Sequence, residues 1–120
     1  IPDTVNENID GLLTTSEIIN TNFTSDLIIL SACNTAAGDI ENVNSLSGLT
    51  KSFFFSGAKN IIASHWSVET YSAEKTTINL FKKSDESYSA RLRKSKLDLI
   101  KEDKTGHPFF WAPFIFIGTN

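Results

Sequence analysis

Apolar residues fall into two kinds of run along this chain, and the contrast between them predicts the order of elements. Leu27-Ile28-Ile29-Leu30 is an unbroken aliphatic run after Asp26, the pattern of a central parallel strand covered on both faces. Residues 60–64, centred on Ile61-Ile62-Ala63, read as a second short apolar strand, and residues 111–118, through Phe114-Ile115-Phe116-Ile117, as a third. Between the first two, the spacing of Leu46, Leu49, Phe53 and Phe54 predicts a helix over 45–56, closed by Gly57 at the position of a C-terminal cap. Strand, helix and strand in that order make a right-handed β-α-β crossover.

The remaining segments are punctuated by turn and cap signals. Thr14 followed three residues later by Glu17 is a capping box for a short helix through Glu17, Ile18 and Ile19, which residues 20–24 end. A longer helical stretch runs over 70–83 with Ala73, Thr77, Leu80 and Phe81 on one side, and residues 84–87 break it. Residues 88–101 form another helix, with Leu92, Leu97 and Ile100 inward and Arg91, Arg93, Lys94, Lys96 and Lys101 on a solvated outer face. Pro108 ends any helix before the last strand. Residues 1–10 carry Pro, Asp, Asn and Glu without periodicity, so they read as a surface loop, and the chain is expected to start inside a domain rather than at its edge. Residues 34–44 are small and polar, a surface loop following a buried strand.

Composition narrows the classes. A chain of 120 residues, 40% hydrophobic and 21% charged, suits one compact domain. The net charge is -3 and the pI near 5.3, with no basic stripe, so nucleic acid is not expected as a direct partner. Apolar stretches fall far short of the ~20 residues a spanning helix needs, so no membrane partner is expected and the location reads as cytoplasmic. The single cysteine, Cys33, forms no internal disulfide. With His65 and His107 as the two histidines, no ligand pair has the close spacing of a zinc site, and neither a metal nor a cofactor is expected. The absence of a GxGxxG or P-loop pattern argues against a nucleotide or flavin binder.

Chemistry concentrates at the end of the first strand. In a parallel α/β sheet, catalytic groups gather beyond the C-terminal ends of the strands. Cys33 ends a buried strand and opens a polar loop, which holds a sulfur rigidly while leaving it reachable. A packed, inert thiol is the competing reading, because free cysteine is among the most buried residue types. A thiol with a pKa of about 8.5 is only a few per cent thiolate at neutral pH, so a nucleophilic Cys33 needs an imidazole or a positive field nearby. His65, at the end of the second strand, is a geometrically possible base on the same rim and equally a loop histidine beside Trp66. His107 precedes Pro108 in a turn, where a structural role fits better.

Leu30-Ser31-Ala32-Cys33-Asn34-Thr35 followed by Ala36-Ala37-Gly38-Asp39 resembles the nucleophile segment of CHAT domains, caspase-like peptidases of the clan that also holds separases and gingipains. The likeness continues through Leu49 to Gly57-Ala58, then Ile61-Ile62-Ala63-Ser64-His65-Trp66-Ser67-Val68-Glu69. It ends with His107-Pro108, Phe110-Trp111-Ala112-Pro113-Phe114 and Gly118. Four separated pieces in the right order, covering nearly the whole chain after Leu12, make a specific signal.

The resemblance implies a caspase-like α/β fold, a flavodoxin-like three-layer sandwich with a mostly parallel sheet, of which residues 1–120 form the C-terminal part. It implies a cysteine endopeptidase acting on protein or peptide substrates through a Cys-His dyad, with Cys33 as nucleophile and the His supplied upstream of Ile1. Ser64, His65 and Trp66 match positions lining the substrate channel, and Ser31 and Asn34, on either side of Cys33, join them in substrate binding. Asp39 is a candidate for reading a basic P1 side chain, against a merely solvated loop acid. Attached helical-repeat modules of the TPR type are expected outside the chain. The alternative is a catalytically inactive CHAT-like domain serving as a binding or scaffold module.

Overall fold

The computed structural model describes residues 14–30 and 41–119. The opening loop over 1–10 and the segment 31–40, with Ser31, Cys33, Asn34 and Asp39, lie outside the described residues. Thr14 caps helix α1 (Thr15–Asn20) through the expected box: its hydroxyl accepts from the Glu17 N–H while the Glu17 carboxylate accepts from the Thr14 N–H. Strand β1 (Ile28–Leu30) follows, then helix α2 (Glu41–Phe55) and strand β2 (Asn60–Ser64). Helix α2 starts four residues before the expected position because residues 41–45 carry a single apolar side chain, Val43, so periodicity becomes visible only from Leu46. Its C-terminus is a Schellman turn: Gly57 N–H donates to Phe54 O and Ala58 N–H to Phe53 O. Gly57 has φ +110, and a β-carbon there would run into the Phe23 carbonyl, so only glycine fits.

β2 pairs in parallel with β1, in the register Leu30↔Ala63, and antiparallel with strand β3 (Phe114–Gly118), in the register Ser64↔Phe114. The central strand is therefore β2, buried along its whole length, whereas β1 is half-buried and among the described residues pairs only with β2. Among the described residues the first strand thus lies at the edge of the sheet and not at its centre, where the sequence pattern put it. Where a mostly parallel sheet is expected, among the described residues one pairing is parallel and one antiparallel.

Alternation along β2 separates two cores. Ile61 and Ala63 meet Ile18 of α1 and Phe53 of α2, while Ile62 meets Leu80 and Leu92 on the opposite face. Those two leucines belong to helices α3 (Thr70–Phe81) and α4 (Tyr88–Lys101), which pack against each other. Helices thus cover both faces of the sheet, in an α/β arrangement.

The buried side of the α3–α4 pair departs from the hydrophobic period. In α3 it is Ser72, Thr76, Asn79 and Leu80, leaving Thr77 and Phe81 exposed. In α4 it is Leu92, Ser95 and Leu99, leaving Leu97 and Ile100 exposed. Arg91, expected outside, is half-buried and donates to the carbonyls of Leu80 and Ser84. Small polar residues can occupy a buried helix face when their hydroxyls have a local acceptor: Ser95 Oγ donates to Arg91 O and Ser72 Oγ to Glu69. Pro108 opens a helix instead of ending one. As the first residue of α5 (Pro108–Trp111) it needs no N–H donor, and His107 caps the turn. The last strand accordingly begins at Phe114 rather than at 111.

These placements are testable by urea unfolding. Ile62→Ala, at a fully buried site facing Leu80 and Leu92, is expected to cost about 2–5 kcal/mol. Leu97→Ala, at a side chain 38% exposed, is expected to cost under about 1 kcal/mol. The opposite ranking would return Leu97 to the core.

Candidate active site rim

β1 and β2 run parallel, so their C-terminal ends share one edge of the sheet, and antiparallel β3 starts at that edge. Three parts of the chain therefore meet there: the end of β1 at Leu30, the turn after Ser64, and α5 with its flanks. Such an edge is where an α/β sheet has freedom to build a site.

Ser64, His65 and Trp66 come together on this rim. Ser64 is buried, and among the described residues its Oγ has no hydrogen-bond partner. His65 leaves the strand with its N–H donating to Pro113 O at 2.9 Å, and the residue is exposed. Trp66 is half-buried, stacked on Phe109 with ring centroids 6.5 Å apart at 24°, and its Nε1–H donates to Phe109 O at 3.2 Å. Phe109 in turn meets Phe110 edge to face at 5.4 Å. The rim thus carries a layered aromatic wall beside an exposed imidazole, a surface suited to the apolar flank of an extended peptide.

The histidines divide as their neighbours dictate. His107 Nδ1 accepts the Phe109 N–H at 3.1 Å, which commits that nitrogen to capping α5. His65 has no such engagement among the described residues. Phe109 was not singled out from the sequence. The signal that points to it is local, a histidine followed by proline, which is a cap followed by the preferred first helical residue and places the next side chains on a defined turn.

Behind the rim, α3 is anchored by Glu69. Its carboxylate accepts from Tyr71 N–H at 2.8 Å and from Ser72 N–H at 3.1 Å. Those backbone bonds hold its pKa below the usual glutamate value, Tyr71 N–H first and Ser72 N–H second. At the same end of the pair, Tyr71 O–H donates to the Glu102 carboxylate at 2.8 Å, and Lys75 pairs with the same group. Among the described residues no group of three or more His, Cys, Asp or Glu side chains is placed to hold a metal ion, and no helix is long and apolar enough to cross a membrane.

Because the folded-state pKa of Glu69 is the lower one, its contribution to stability is complete above the ordinary glutamate value of about 4.3 and disappears as pH falls through the depressed value. Thermal melts of the wild type and Glu69→Gln are expected to differ at neutral pH, with the variant less stable, and to converge as pH falls through the depressed value of Glu69. A gap unchanged by acid would remove the capping charge from the account.

Residues 3–119 match a family model described as the CHAT domain. No curated protein and no solved structure gives a significant match. The family match spans every described element, from the Thr14 cap to the end of β3, and is compatible with a caspase-like fold. The chain belongs to the CHAT domain family.

Proposed function

We propose that the chain is the C-terminal part of a caspase-like cysteine endopeptidase domain in which Cys33 is the nucleophile. The observation that carries this reading is the register Leu30↔Ala63. Cys33 follows Leu30 by three residues and His65 follows Ala63 by two. β1 ends at Leu30 on the edge that carries Ser64, His65 and Trp66, and three residues reach at most ~11 Å along the chain, which supports a place for Cys33 on that edge. Family membership supports the rest: a flavodoxin-like sandwich, a Cys-His dyad and attached helical-repeat modules.

In this reading a segment N-terminal to Ile1 supplies the activating imidazole. Cys33 Sγ, as thiolate, attacks the scissile carbonyl carbon. Backbone N–H groups hold the developing oxyanion, and the imidazolium gives its proton to the leaving amine as the C–N bond breaks. Water then hydrolyses the thioester and restores the thiol. The Trp66–Phe109 wall and Ser64 take the substrate beside the reacting carbonyl, with Ser31 and Asn34 flanking the nucleophile and Asp39 reading a basic P1 side chain.

The test is covalent capture in the intact protein. A peptide acyloxymethylketone with basic P1 is expected to add one label, read by intact mass and lost in Cys33→Ala, together with a loss of peptide hydrolysis of about 10³-fold or more. If iodoacetamide reaches the thiol while peptide ketones of several P1 types leave it unlabelled, the inactive binding or scaffold module replaces the protease.

A further inference from the structure

At the end of the molecule away from the rim, the α3–α4 turn walls a cleft of about 320 Å³. Tyr88, the first residue of α4, helps line a second hollow with Asp26, Lys59 and Asn60, residues at the starts of β1 and β2, which fixes this end of α4 at the strand-start side. The first cleft is lined by Lys82, Lys83, Lys94 and Arg91, with Glu86 as its one carboxylate, so four cations face one anion. Eight of the chain's eleven basic residues lie between Lys82 and Lys104, although the whole chain carries a net charge of -3. The positive field is therefore local and not a property of the surface at large.

The unspent groups in the cleft are almost all donors. Lys82, Lys83 and Lys94 have no ion-pair partner among the described residues. Arg91 gives its two terminal nitrogens to Leu80 O and Ser84 O, which absorbs carbonyls at the C-terminal end of α3, while its Nε is buried without a partner. Asn79, 8% exposed, also lines the cleft, and its Nδ2 is likewise buried and unpartnered. A surplus of three positive charges matches a dianion better than a single carboxylate. The cleft's volume lies at the lower end of the range for small-molecule sites, larger than a bare oxyanion requires.

We propose that this cleft binds a small phosphorylated molecule, its phosphoryl oxygens accepting from Lys83, Lys94 and their neighbours. The site is separate from the rim and does not depend on the peptidase reading.

Amide spectra of the full chain, titrated with inorganic phosphate, glucose 6-phosphate and AMP against sodium chloride at matched ionic strength, test it. Saturable shifts confined to residues 79–94 are expected for the phosphates. Tighter binding of either organic phosphate than of inorganic phosphate supports a bound small molecule. Lys83→Gln and Lys94→Gln are each expected to weaken binding about tenfold, with melting temperature unchanged because both side chains are exposed. Shifts that chloride reproduces, that fail to saturate, or that survive both substitutions overturn the proposal. So does inorganic phosphate binding alone with no response to either organic phosphate.

Discussion

The structure depends on the two-sided burial of β2. Its five residues are all shielded from water, and its side chains point alternately to opposite faces. Ile61 and Ala63 therefore draw α1 and α2 to one side, and Ile62 draws α3 and α4 to the other. Each neighbouring strand is registered against this one, because a slip by one residue would turn a core face outward. Local pairings then secure the margins: Ser56 Oγ lies against the carbonyls of Ile18 and Ser52, tying α1 to α2. Asn60 bridges the starts of β1 and β2 to the end of β3, donating to Asp26 O and accepting from Thr119 N–H.

The mixed direction of the sheet decides what meets at the rim. Parallel pairing brings the C-terminal end of β1, at Leu30, beside the end of β2. Antiparallel pairing with β3 brings the entry of β3 to the same place, so that Pro113 O accepts from His65 N–H and Phe109 can stack on Trp66. A parallel third strand would have carried α5 to the other end. The aromatic wall is thus a consequence of strand direction, and the cation-rich cleft at the α3–α4 turn is kept apart from it by the length of those helices.

The α3–α4 pair buries small polar side chains, as α2 does at Thr50 and Ser52. Its buried positions include Ser72, Thr76, Asn79 and Ser95, while Ile78, Phe81, Leu97 and Ile100 stand exposed. Hydroxyls that donate to a carbonyl or a carboxylate one turn back make this burial tolerable. Thr76 Oγ1, Asn79 Nδ2 and Arg91 Nε lack such partners among the described residues, and Asn79 and Arg91 are two of the residues that line the cleft.

Where structure depends on contacts a few residues apart, the sequence alone was sufficient. The Thr14–Glu17 box, the Gly57 cap, the bounds of β2 and α4 and the β-α-β order were all legible, because caps, turns and periodicity act within one or two turns of chain. The motif pieces around Cys33 and Ser64-His65-Trp66 were legible as well and led to the family. Long-range pairing decided the remainder. Which of the described strands lies in the middle, the direction of β3 and the choice of Ser95 and Leu99 over Leu97 and Ile100 for the buried face depend on what packs across from each residue. A hydrophobic period cannot carry that information, because it records how apolar a side chain is and not which surface lies opposite it.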